Sequence, residues 1–135
     1  MYVPEAVVEH RYSHSTGPAS PLKAYYVERN RLFLIVKNFP ASALMKAPLA
    51  MLARYFWHVA AMVRGHGAAA RFRTDGNSGW RLALCALRAH LALAADWSSL
   101  WKKRRTIRRG ARIGAAEFRG LLRQYSITAR KVATQ

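Results

Sequence analysis

Six carboxylates stand against 23 lysines and arginines in this chain, giving a formal charge of +17. A disordered basic tail pairs such charge with low hydrophobicity. Here 52% of the residues are hydrophobic and 11% aromatic, so the chain carries enough apolar surface to fold. Its 135 residues suffice for one modest core. The charge is lopsided as well. Residues 1–63 hold seven bases and three acids, net +4, whereas residues 64–135 hold sixteen and three, net +13. Lys102, Lys103, Arg104, Arg105, Arg108, Arg109 and Arg112 fall within eleven residues without an acid among them.

The scarcity of acids also limits chemistry. Glu5, Glu9, Glu28, Asp75, Asp96 and Glu117 form no Asp-x-Asp and no close pair, which argues against two-carboxylate acid/base catalysis and an all-oxygen metal cage within this chain. Arg64-Gly65-His66-Gly67 and Asp75-Gly76-Asn77-Ser78-Gly79 match neither the P-loop nor the dinucleotide fingerprint and read as turns. A single cysteine, Cys85, excludes an internal disulfide and a cysteine-based zinc cluster, and fits a reducing compartment. Met1–His10 lacks the basic and apolar regions of a secretory signal, so a cytoplasmic location is expected.

The fold expected is mainly α: a short N-terminal strand followed by three to four helices. Tyr2–Glu9 reads as the strand, with Pro4 near its start where a missing N–H is tolerated. After a polar loop, Ser20-Pro21 offers a cap and a first helical residue, which starts a helix running to about Phe39. Its 3.6-residue period groups Leu22, Tyr26, Phe33 and Val36, with Arg29 on the same stripe, where a charge needs a partner. Leu32–Val36 is apolar all round, as in a helix covered on several sides.

A second helix is expected from about Pro48, with Leu52, Phe56, Val59 and Val63 on one face and Arg54 and His58 opposite. Residues 44–63 are long enough to cross a bilayer, but an arginine near the middle costs about 2.5–3.5 kcal/mol on insertion, so an amphipathic helix is favoured over a span. A basic, glycine-rich stretch over 64–79 precedes a third helix, Trp80 to about Trp101, with Trp80, Leu84, Leu87 and Leu91 on one stripe. A short helix around Ala115–Gln124 precedes a polar tail.

Two blocks carry a family likeness. Residues 2–17, with Val3-Pro4-Glu5-Ala6-Val7-Val8-Glu9-His10 leading into His10-Arg11-Tyr12-Ser13-His14-Ser15, are followed by Tyr26-Val27-Glu28-Arg29-Asn30. Together they resemble the C-terminal part of bacterial family 2 glycosyltransferases of the rhamnosyltransferase-like kind, and Arg119–Val132 is similar to the basic ending of those proteins. The resemblance implies the C-terminal remnant of an α/β GT-A enzyme. Residues 1–20 would be the last strand and loop of its core, residues 21–101 amphipathic helices packing on that core or on a membrane surface, and residues 102–135 a basic C-terminal region. The nucleotide-sugar half, with its Asp-x-Asp and catalytic base, would lie upstream, as for a truncated gene, a misplaced start or a split protein. The chain alone is therefore expected to transfer no sugar.

The same resemblance implies site residues. His10 would be the metal ligand or a contact to the diphosphate, the metal being Mg or Mn in the full-length family, with none expected to bind tightly to this chain alone. A histidine that caps the strand is the alternative. Arg11, Ser13 and Ser15 would contact the leaving nucleotide, or else form a solvated loop. Arg29 and Asn30 would serve substrate binding, or Arg29 would pair with an acid of the upstream domain. The implied partners are a nucleotide sugar and a glycan or lipid-linked acceptor of cell-envelope polysaccharide synthesis. Trp80, Trp97 and Trp101 beside Lys and Arg further suggest an anionic membrane surface, at the inner face of the cell membrane. A polyanion such as nucleic acid would also be attracted by this charge, but no recognition signature for a specific nucleic acid is present.

Overall fold

In the computed structural model, which describes residues 20–134, the first helix begins where Ser20 and Pro21 predict. This helix, α1 (Pro21–Asn38), has Pro21 in its first turn, and the Ser20 hydroxyl accepts the Lys23 backbone N–H at 3.1 Å. The cap satisfies one of the four N-terminal amides that a helix leaves unbonded. Ser20→Ala is expected to destabilise the protein by about 1 kcal/mol, read from the urea midpoint.

Six more helices follow: α2 (Ala41–Val63), α3 (Gly67–Thr74), α4 (Gly79–Ala95), α5 (Trp97–Gly110), α6 (Ala115–Tyr125) and α7 (Ala129–Thr134). Among the described residues there is no strand, and the protein is mainly α with more helices than the three or four expected. The strand anticipated over 2–9 lies outside the described residues. Its connection to α1 does too.

Four features differ from the sequence reading, one of them the helix expected from Trp80 to about Trp101, which breaks at Asp96 into α4 and an α5 that continues through the basic run. α2 starts at Ala41, not Pro48, so Pro48 sits inside the helix without an N–H for the Leu44 carbonyl. The turn before it holds because Ala47 is buried and lines, with Ala43 and Ala50, a cleft toward Ile35 of α1 and Phe39 just after it. The basic, glycine-rich stretch contains α3, whose Ala69, Ala70 and Phe72 are buried. Alanines outweigh local glycine content once they pack. The supposed polar tail contains α7, with Ala133 buried against α2 and α3.

Two packing units share the chain. In the first, α4 and α5 run parallel to α1: the Cys85 thiol lies 3.4 Å from the Pro21 carbonyl, Arg88 covers the Tyr25 ring, and Arg104 donates to the Val36 carbonyl at 2.6 Å. Leu32, Val36, Cys85, Ala89 and Leu100 are the buried apolar residues of these helices. Asp96, with φ −89° and ψ 5°, is the only residue between α4 and α5. In the second unit α2 packs on α3 and α7, where Ala61, Ala69, Phe72 and Ala133 are buried.

The buried line of α1 is Glu28, Leu32 and Val36, which shares only Val36 with the stripe the sequence suggested. Leu22 and Tyr26 are exposed, and within the apolar run 32–36 Leu34 is exposed while Phe33 and Ile35 are half-buried.

Candidate functional site

The deepest polar group is a carboxylate that pattern reading passed over. Glu28 is only 6% exposed and accepts hydrogen bonds from the Arg31 guanidinium at 2.5 and 3.2 Å, from Arg54 at 2.7 Å and from the Tyr55 hydroxyl. Helical spacing brings Arg31 onto it from α1, three residues ahead, while the Phe39-Pro40 turn folds α2 back so that Arg54 and Tyr55 arrive from the other side. Burial alone would raise the Glu28 carboxyl. The hydrogen bonds from Arg31 and Tyr55 and the charges of Arg54 and Arg31 outweigh it and hold the group at about 2. Burial and the bond to Glu28 push Tyr55 up to about 12, so its proton stays in place.

This cluster has little capacity for proton chemistry. A carboxylate saturated by four donors and ionised down to about pH 2 is a poor general base. His58 is held below its usual value by burial and by Arg54, and its Nε2 is buried without a hydrogen-bond partner among the described residues. His90 directs Nδ1 to the Ala86 carbonyl and sets its ring edge-on to Tyr55. Burial raises the Cys85 thiol, which keeps it protonated and weakly nucleophilic. Among the described residues no three His, Cys, Asp or Glu side chains come together as a metal would need. The site is a clamp between α1 and α2.

The clamp has a consequence for the outer surface. Because Arg54, Tyr55 and His58 turn toward Glu28, the opposite side of α2 faces outward. Met45, Leu49, Leu52, Phe56, Val59 and Val63, spaced 4, 3, 4, 3 and 4, are 55–80% exposed. The helix is thus inverted, its ionic side inward and its apolar side outward. A second apolar stripe on α4, Trp80, Leu84, Leu87 and Leu91, is also exposed, and Gly79 lies beside the Met62 sulfur where the start of α4 abuts the end of α2. No helix among the described residues is long and apolar enough to cross a membrane.

The basic run lies on α5, with Trp97 and Trp101 stacked 5.6 Å apart in the same helix. Lys102, Lys103, Arg105, Arg108 and Arg109 are exposed. Arg104 is not part of that surface: it is buried, stacked on Trp101 and bonded to the Val36 carbonyl, because the last turns of α1 leave that carbonyl unbonded within the helix.

Of the residues singled out in the sequence, His10, Arg11, Ser13 and Ser15 lie outside the described residues. Arg29 and Asn30 are on α1 and line a groove against α5. Arg29 has no acid partner among the described residues; its guanidinium covers the rings of Tyr26 and Phe33 at 5.3 and 5.0 Å. The acid in this region, Glu28, pairs with Arg31 and Arg54 instead. One signal could have found it: Glu28, Leu32 and Val36 fall on a strict four-residue repeat with Arg31 three residues after the acid. Searches against family models, characterised proteins and solved structures find no match to this chain.

Proposed function

We propose that this chain is the membrane-docking, non-catalytic C-terminal part of a family 2 glycosyltransferase-like protein. In full length such an enzyme would transfer a sugar from a nucleotide-sugar donor to a cell-envelope polysaccharide or lipid-linked acceptor. The parentage rests on the sequence resemblance of residues 2–33. Docking rests on one observation, the outward apolar face of α2 held in place by the inward Glu28 clamp.

An exposed apolar helix face needs a partner, and charge helps to choose it. A second copy of a chain carrying +17 would approach against strong repulsion, whereas an anionic bilayer attracts both the face and the cations of α5. The Trp97–Trp101 pair beside Lys102 and Arg105 supplies the aromatic and cationic groups that suit the headgroup layer. The location that follows is peripheral, at the inner face of the cell membrane.

Flotation with vesicles of phosphatidylcholine and phosphatidylglycerol tests this at two salt concentrations. Each surface cation contributes about 1 kcal/mol, and the Debye length shrinks from about 10 Å at 0.1 M to about 3 Å at 1 M, so binding should weaken in high salt. Apolar insertion persists. Phe56→Asp should remove about 1.5–3 kcal/mol of that persistent term, a tenfold to hundredfold loss at 1 M salt. Replacing Arg105, Arg108 and Arg109 with Gln should erase most of the preference for anionic lipid while leaving the high-salt binding intact. Complete release of the unaltered chain at 1 M salt, with tight DNA binding at low salt, would overturn docking and leave a nonspecific polyanion binder.

A further inference from the structure

We propose that the groove between α1 and α5 binds a phosphate-bearing group. The groove has a volume of about 510 Å³, within the range of small-ligand sites, and its charged walls are Arg29 and Lys37 from α1, Lys103 from α5 and Asp96 just before α5. Three cations against one carboxylate leave it net +2. None of these three cations has an ion pair among the described residues, so none is neutralised within ion-pair distance, and Asp96 holds none of them.

The arrangement is held from both sides. Arg29 rests on the Tyr26 and Phe33 rings, and its Nε is buried with no hydrogen-bond partner among the described residues. The Arg104 bond to the Val36 carbonyl fixes α5 against α1 one residue from both Lys37 and Lys103, so these two lysines line the groove from opposite helices beside that contact. Arg29 and Lys37 are eight residues apart, about 12 Å along the helix, with the Asn30 amide and Ser99 hydroxyl also lining the cleft. Unpaired cations with neutral donors between them suit a multiply charged oxyanion, whose several acceptors can be met at once. A carboxylate offers two acceptor oxygens and one charge, whereas phosphate oxygens match both counts. A lipid headgroup and a soluble diphosphate share this chemistry.

The groove lies apart from the α2 face, and its test needs no membrane. Titration calorimetry of the full chain with inorganic pyrophosphate should show saturable binding near one equivalent. Lys37→Gln with Lys103→Gln should weaken it at least tenfold, while Lys102→Gln with Arg109→Gln, the same loss of charge outside the groove, should change it less than threefold. Asp96→Asn is nearly isosteric, removes no side-chain cap hydrogen bond and raises the charge of the groove, so it should tighten binding severalfold. Vesicles containing phosphatidic acid or an equal charge of phosphatidylserine identify the source. A preference for phosphatidic acid that disappears in the Lys37/Lys103 variant supports a headgroup site, and one that survives while pyrophosphate binding is lost supports a soluble ligand. Equal losses in the two double variants, absence of saturable binding, or no tightening in Asp96→Asn would overturn the proposal.

Discussion

Glu28→Ala is expected to destabilise the protein by about 3–5 kcal/mol, a large share of the total for a chain of this size. The loss does not measure how favourable the ion pairs are. It arises because Arg31, Arg54 and Tyr55 converge on one carboxylate, and removing it leaves donors from two helices without an acceptor in a partly closed site. Glu28→Gln keeps an acceptor but loses the charge, so it should fall between the two. The same group sets the acid limb of stability. Its carboxyl lies at about 2 in the folded protein against 4.5 ordinarily, so its contribution is fully present above about pH 4.5 and fades as pH falls toward 2. The amount lost is on the order of 3 kcal/mol, from about 1.36 kcal/mol per pH unit. A chain with only six acids has few other groups that could produce this slope. Urea unfolding at pH 7, 4.5, 3 and 2 measures it. A wild-type stability that stays flat from pH 4.5 to 2, or a slope undiminished in Glu28→Gln, would remove Glu28 from that role.

The clamp also shows where sequence reading succeeds and where it stops. The start of α1 was legible because Ser20 and Pro21 act through their own backbone, within one turn. The helix expected around Ala115–Gln124 is also found, as α6 over Ala115–Tyr125. The inward face of α2 was not. Hydrophobic periodicity correctly grouped Leu52, Phe56, Val59 and Val63, and placed Arg54 and His58 opposite, but periodicity does not say which side is covered. The usual assumption that the apolar side packs fails here because the acid that decides the matter sits 26 residues away on another helix. Arg31, not Arg29, meets the acid; the two-residue step between them is about 200° around a helix, enough to exchange an aromatic seat for an ion pair. α3 and α7 were missed because both are short, with eight and six residues, and gain their stability from one another and from α2, not from local propensity.

The contact between those two short helices should be the most sterically fragile point at a glycine among the described residues. Gly67 opens α3 with φ +78°, and a Cβ there would stand 2.0 Å from the Ala133 carbonyl oxygen and 3.0 Å from its carbon. Backbone cannot move aside as a flexible side chain can, so Gly67→Ala must push α7 away. Gly65 supplies the matched comparison. It has φ +73°, with nothing within 4 Å of an added Cβ, so Gly65→Ala carries only the left-handed penalty of about 1–2 kcal/mol. Gly67→Ala carries that penalty and also loses the burial of Ala133 and the seat of Arg130 on the Trp57 ring. The total should be on the order of 3 kcal/mol, with the excess confined to the α2, α3 and α7 unit. Limited trypsin digestion separates the two effects, because Arg130 and Lys131 lie in α7. Cleavage there should accelerate at least tenfold in Gly67→Ala and remain near the wild-type rate in Gly65→Ala, under conditions where both variants stay folded by circular dichroism. Equal cleavage rates in the two variants would mean that the left-handed backbone, and not the approach of the Ala133 carbonyl, is what requires glycine at this position.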